Sequence, residues 1–396
     1  MDWNARIHDV QKHLVQQKID GWLLYDFGGL NSLAREFLKL DPEFLITRRL
    51  FYWIPAKGSP RKILHKIEPH VLPGLPGDTL PYLKWEELEA QLKAVLAGTK
   101  TVAMEYSPRN AIPYLSKVDA GIVDLIRSFG IEVVSSASFL QYYTCVLDEE
   151  QFKMHKEAAD FLDRTAHKAW EKISHALHKG DQINEHQVRQ FMLDEMTAHG
   201  FTTEAHPICA VNAHSADPHY EPPKTGSSAI KQGDFILIDL WCKKKHSRAI
   251  YGDITRVAVA DSRPTSKQQE IFAIVRQAQK AATDFVANRY SKGESVKGFE
   301  VDQVCRKAIE DKGYGRYFTH RTGHNIYTKD HGPGAHIDSL ETLDLRELIP
   351  QTCFSIEPGI YLPNEFGIRL EYDVFLSADR KAIVTGGVQD EIKCLL

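Results

Sequence analysis

The segment FSIEPGIYLPNEFGIRLEYDVFL, residues 354–376, is two apolar runs around a turn-forming LPNEFG, and each run carries one carboxylate, Glu357 and Glu371. Ile, Tyr, Phe, Leu and Val in such runs read as strands, and the Pro-Asn-Glu-Phe-Gly between them reads as the connection of a hairpin. Residues equidistant from the centre of a hairpin face each other across the ladder. The centre is Asn364, so the spacing predicts that Glu357 and Glu371 are opposed. The same separation of fourteen recurs between Asp239 in FILIDLW and Asp253 in GDITR, centred on His246. Two like charges set directly opposite one another are destabilising, more so in apolar surroundings, and buried carboxylates need a partner or a metal. A cation is the economical partner for all four. Four carboxylates can bridge two divalent ions, and two-metal hydrolytic sites hold their ions roughly 3.5–4 Å apart and activate a water between them. Such sites usually include imidazole, which HRTGHNIYTKDH supplies as His320, His324 and His331. The His320/His324 spacing matches a helical zinc motif but lacks its glutamate and contains Gly323, which argues against a zincin helix.

Length and charge bound the setting of this cluster. The 396 residues exceed one ordinary core and predict two domains. Residues 1–147 alternate strand-like runs (GWLLYDF, LFYWIP, RKILHKI, TVAMEY, IEVVSS) with helical stretches at 4–17, 85–98 and 119–130, an α/β domain. A long charged helical stretch, 146–177, opens on the acids of LDEEQ and marks the start of a second domain, 148–396. This domain mixes helices (184–200, 266–288, 300–312) with strands (207–211, 235–241, 254–260) before the 354–376 hairpin, an α+β pattern. The formal net charge of -4 argues against a general grip on nucleic acid or anionic membrane. The absence of a secretory hydrophobic region, of a run near the ~20 apolar residues needed to span a bilayer, and of any CxxC pair among six scattered cysteines predicts a cytoplasmic protein.

The ordered set Asp239, Asp253 in GDITR, His324 in TGHNI, Glu357 in SIEPG and Glu371 in RLEYD resembles the ligand series of the pita-bread metallopeptidases: methionine aminopeptidase, aminopeptidase P, prolidase and the metal-free creatinase. The N-terminal α/β domain is similar to that of the aminopeptidase P, prolidase and creatinase branch. The resemblance implies a C-terminal pita-bread domain holding two divalent ions, manganese, cobalt or zinc. It implies Asp253 and Glu371 as bridging ligands, Asp239 on one ion, and His324 and Glu357 on the other. It implies a catalytic proton shuttle at Glu357, substrate contacts from His219 in NAHSADPHYEP and from His331, and an orienting role for Arg369. The implied reaction is hydrolysis of an Xaa-Pro bond in a peptide, as an aminopeptidase P or a prolidase, by a hydroxide bridging the ions, in a homodimer. Two other classes fit the ligand series: a small-molecule C–N hydrolase or lyase using the same dinuclear site, and a non-catalytic peptide-binding pita-bread protein. The chain departs from the family at Asp239-Leu240-Trp241, where Asp-x-Gly is frequent, and at Arg321, Asn325 and Tyr327, where glycines are frequent. The segment between the two aspartates is about three residues longer than in many relatives. These changes spare every ligand and fall on the pocket wall.

Overall fold

The computed structural model describes residues 2–41 and 44–396, and the chain divides into two compact units, Met1–Thr144 and Cys145–Leu396. In the first unit six strands form one mixed sheet: β1 (Gly21–Asp26), β2 (Leu50–Pro55), β3 (Arg61–His65), β4 (Asp78–Tyr82), β5 (Thr101–Met104) and β6 (Glu132–Ser135), in the order β4-β3-β2-β1-β5-β6. Helices α1 (Trp3–Gln16), α2 (Ser32–Leu38), α3 (Trp85–Val95), α4 (Ala120–Ser128) and α5 (Ala137–Thr144) complete it. β1 is buried along its whole length and its side chains alternate between two cores: Trp22 and Leu24 pack in one, Leu23 and Tyr25 in the other.

The second unit opens with α6 (Glu149–Lys179). Asp148 caps it, accepting from Gln151 N at 2.9 Å while Gln151 Oε1 accepts from Asp148 N, and Gly180 ends it at φ 73°. α7 (Glu185–Ala198) follows, then β7 (Phe201–Thr202), β8 (Ile208–Val211), β9 (Phe235–Lys244) and β10 (Gly252–Val259). After α8 (Ser266–Ser291) and α9 (Gly298–Glu310) come β11 (Asn325–Ile326), β12 (Cys353–Ile356), β13 (Gly359–Leu362), β14 (Phe366–Arg369), β15 (Tyr372–Leu376), β16 (Ala382–Thr385) and β17 (Lys393–Cys394). β9 separates two cores by strict alternation. Ile236, Ile238 and Leu240 belong to a core with Ala158, Leu162 and Ile173 of α6, whereas Phe235 and Leu237 belong to the core that also holds α8 and the 354–376 hairpin, with the Phe235 and Phe366 ring centroids 5.3 Å apart. Asp239 follows Leu237 on this second face, and Asp253 and Thr255 of β10 lie on that face with Val257.

The first hairpin differs from the sequence expectation in register. Asp239 is opposite Thr255 and Asp253 is opposite Trp241, so the two aspartates are diagonal neighbours on one face rather than a directly opposed pair. The connecting loop is asymmetric: Ala249 N bonds His246 O and Tyr251 N bonds Tyr327 O. The second hairpin keeps the expected register about Asn364, in both β12–β15 and β13–β14. Its strands are each interrupted, however, at the acid. Pro358 has no N–H to give the ladder; Glu357 N instead bonds Thr322 O at 2.7 Å, and Glu371 N reaches Thr255 O at 3.4 Å. The two glutamates therefore occupy a gap between the two ladders, where their side chains leave the sheet together.

The hairpin is tied to the turn that carries His219 by a close backbone approach. Gly367 N donates to Ser215 Oγ at 2.8 Å, and a Cβ on Gly367 would collide with the Ser215 carbonyl. Gly367→Ala is expected to lower unfolding stability by about 1–3 kcal/mol, measured by urea denaturation. An unchanged midpoint and slope would show that the turn yields without cost.

Candidate metal centre

The first hairpin, the interrupted second hairpin and the segment just before β11 bring five side chains to one place. Asp239, Asp253, His324, Glu371 and the neighbouring Arg369 are each at most 7% exposed. One ligand atom from each of Asp253, His324 and Glu371 lies within 4.8 Å of the others. His324 Nε2 is 3.4 Å from Glu357 Oε1 and 3.6 Å from Asp253 Oδ2. Its other nitrogen, Nδ1, is 3.1 Å from the Asp330 carbonyl oxygen, which can only accept. The proton therefore sits on Nδ1 and the Nε2 lone pair faces the carboxylates, the tautomer a metal requires. The position of His324 is fixed by Gly323, whose Cβ would collide with the Ser355 carbonyl, and by His324 N donating to Ser355 Oγ at 3.1 Å.

A ring of polar groups orients the acids. Arg369 Nη2 is paired with Asp239 Oδ2, and Arg369 Nε donates to Thr255 Oγ1 at 2.9 Å. The Thr255 hydroxyl lies 2.7 Å from Glu371 Oε2 and 3.0 Å from Asp239 Oδ1, so it links the two hairpins. Asp373 Oδ2 accepts from Asp253 N at 2.9 Å. Arg369 Nη1 also donates to Tyr361 Oη, 3.3 Å away, which is 2.7 Å from His320 Nε2. His320 thus belongs to this supporting network and not to the donor cluster.

These contacts leave Asp253 Oδ1 and Glu371 Oε1 buried without a hydrogen-bond partner. Burial lifts the Asp253 carboxyl well above its usual range, reinforced by Glu371 and Asp330. Burial and the charge of Glu357 do the same to Glu371, against the opposing pull of Arg369. Burial raises Glu357 to about 7 although Arg369 and Arg321 act to lower it. Such acids are stable as anions only beside a further positive charge. Orphaned oxygens, an oriented imidazole and an oxygen-rich donor set fit a hard or borderline divalent ion.

Two histidines expected to meet substrate lie at the edge of the cluster. His331 leaves half its side chain exposed, stacks obliquely on His324 with ring centroids 4.0 Å apart, and has Arg321 Nη2 3.2 Å from its Nδ1. Because the guanidinium only donates, the His331 proton is on Nε2. His219 is exposed, on the turn after β8, yet near enough to act electrostatically on Asp239 and His331. That turn is held by buried Glu185, which accepts from Val211 N, His214 Nδ1 and Tyr220 Oη, each at 2.8 Å.

Sequence reasoning passed over Thr255, Tyr361, Asp373 and Asp330. Thr255 stood in plain view within GDITR, two residues from Asp253 and so on the same strand face. Asp330 adjoins His331. Neither Tyr361 nor Asp373 had a signal beyond the strand alternation that places them.

A buried donor set of this kind can hold divalent metal, and comparison with known proteins gives the class of the chain. The chain belongs to metallopeptidase family M24, whose model matches residues 153–378, and it is a metallopeptidase of the pita-bread type. It is 25% identical over 266 residues to an uncharacterised peptidase of Staphylococcus saprophyticus, covering 66% of this chain and 69% of that protein. It is 26% identical over 242 residues to an uncharacterised peptidase of Staphylococcus aureus, covering 61% and 62%. The whole chain is similar in fold to the dipeptidase PepE from Mycobacterium ulcerans (TM-score 0.71, 22% identity, 99% and 98% covered) and to a prolidase from Thermococcus sibiricus (0.64, 22%, 100% and 99%). It is also similar to an X-Pro aminopeptidase from Thermotoga maritima (0.60, 22%, 97% and 99%). No helix among the described residues is long and apolar enough to cross a membrane.

The electrostatics give a signed expectation for the protein in chelator. A carboxyl raised in the fold stabilises most below its unfolded pKa and loses that contribution as pH rises. Glu357 should therefore cost stability as pH rises from 4.5 to about 7. Adding a divalent ion should raise the melting temperature. Asp253→Asn should abolish that rise while leaving the chelated protein at least as stable as wild type. Melting curves that respond to metal equally in both proteins would remove Asp253 from the site.

Proposed function

We propose that this chain is an Xaa-Pro peptidase of the aminopeptidase P or prolidase kind, working with two divalent ions, manganese, cobalt or zinc. The observation that carries the reading is the pair of orphaned oxygens, Asp253 Oδ1 and Glu371 Oε1, beside the ligand-ready Nε2 of His324, with two imidazoles at the rim. The prolidases, Xaa-Pro dipeptidase and X-Pro aminopeptidase among the similar structures support the substrate class by analogy.

In this reading Asp239, Asp253, His324, Glu357 and Glu371 would hold the two ions, with Asp253 and Glu371 shared between them. Divalent ions held there supply Lewis acidity, which acidifies a water and polarises the scissile carbonyl. The chain's own groups do the rest. Glu357, 13% exposed at its side chain and accepting from Ser355 Oγ at 3.3 Å, takes the proton of the attacking water and delivers it to the leaving proline nitrogen. His331 offers Nε2–H to the carbonyl oxygen as negative charge develops there, with Arg321 holding that tautomer from behind. His219, carried on the turn anchored by Glu185, contributes a second donor. Arg369 and Thr255 keep Asp239 and Glu371 from swinging apart between turnovers. Proline needs such a dedicated site because its amide nitrogen carries no hydrogen and its ring fixes the backbone.

The test is product release from Xaa-Pro dipeptides, Xaa-Pro tripeptides and Xaa-Ala controls in the presence of manganese. Cleavage confined to Xaa-Pro dipeptides identifies a prolidase, and cleavage of the tripeptides an aminopeptidase P. A metal-loaded protein inert on the whole panel overturns the reading in favour of small-molecule chemistry at the same site. Glu357→Gln is expected to lower kcat by roughly 10²–10⁴-fold, and His219→Ala to slow turnover with both metals retained.

A further inference from the structure

Asp330 places a further carboxylate against the cluster, outside the five-ligand series. We propose that Asp330 is a sixth protein donor to the metal centre, binding the ion held by His324. The proposal rests on the dinuclear reading above and extends it.

One ligand atom each from His324, Asp330 and His331 lies within 4.8 Å of the others, so His324 belongs both to this group and to the one with Asp253 and Glu371. Asp330 Oδ1 is buried and has no hydrogen-bond partner, while Oδ2 is 3.7 Å from His331 Nε2. The side chain is 19% exposed and its carboxyl interacts directly with that of Asp253. Asp253 and Glu371, 4% and 2% exposed, each leave one oxygen unpartnered, and a ligand atom from each lies within 4.8 Å of one on His324. Two carboxylates brought together there repel as anions, and a cation between them would relieve that repulsion.

The loop that carries Asp330 is built rather than loose. Tyr327 O accepts from Tyr251 N at 3.0 Å, Thr328 O accepts from Lys243 Nζ, and Gly332 N donates to Asn325 O at 2.7 Å. Gly334 N donates to Asn325 Oδ1 at 2.9 Å, and Asn325 Nδ2 donates to Cys353 O at 2.9 Å. The Asn325 amide ties Gly334, beyond Asp330, to Cys353 of β12. The same residue that aims a carboxylate at the centre also fixes the His324 tautomer through its main-chain carbonyl. Side chain and main chain of Asp330 therefore serve one ion in two ways, and a side-chain substitution removes only the first.

The experiment is calorimetric titration of manganese(II) into the full-length, chelator-stripped protein, for wild type, Asp330→Asn and Asp330→Ala. Electron paramagnetic resonance of the manganese-loaded forms is recorded alongside, and circular dichroism checks the fold. Wild type is expected to bind two ions. In both variants one of the two affinities should fall by about tenfold or more, the other should hold, and the manganese spectrum should change. Two unchanged affinities with a wild-type spectrum overturn the proposal and leave the dinuclear reading standing. So does a variant altered only in KM for peptide, which would make Asp330 a substrate-contacting group. A wild-type protein that binds fewer than two ions overturns the dinuclear reading, and this proposal with it.

Discussion

Mutual repulsion among buried carboxylates is the constraint around which the second unit is arranged. Asp239, Asp253, Glu357 and Glu371 are drawn from two hairpins, and without positive charge each would resist ionisation in so dry a place. Arg369 pairs with Asp239 and pulls on Glu357 and Glu371 without offsetting their burial. The remainder is left for cations that the fold does not itself supply. Stability and metal binding are thereby linked: the framework carries a local penalty that a bound ion removes, so the loaded form is favoured by more than the contacts of the ion alone.

That penalty is tolerable because the packing around it is dense. β9 packs on α6 with one face and on the second hairpin with the other, and the supporting polar ring of Thr255, Arg369, Tyr361, His320 and Asp373 has few degrees of freedom. Thr255 is the hinge of this ring. Its hydroxyl meets an acid from each hairpin and accepts from Arg369, so a loss there would be felt in both halves of the centre.

Much of this was legible in the sequence. β2 falls on LFYWIP as expected, and α6 begins within the acidic LDEEQ because Asp148 and Gln151 form a reciprocal cap. The turn at Asn364 was readable because the second hairpin is short and its register symmetric. The opposition of Asp239 and Asp253 was misread for a physical reason: the irregular loop between β9 and β10 displaces the symmetry centre, which residue counting cannot detect. The breaks in the second hairpin were equally hidden, since an Ile-Glu-Pro-Gly run has strand composition on both sides. Thr255 and Asp373 were overlooked because their importance lies in whom they meet, not in what they are.

The shifted first hairpin has a consequence for how such proteins diverge. The ladder, not the loop, decides which side chains share a face, and the alternation of β10 keeps Asp253 and Thr255 together whatever happens beyond Gly252. The exposed residues 245–248 can therefore lengthen or shorten without moving either aspartate, whereas Ala249, Ile250 and Tyr251 are buried. What the site requires of this hairpin is an aspartate facing a threonine two places past its partner acid, and the number of residues between the two acids is set by the loop, not by the ladder.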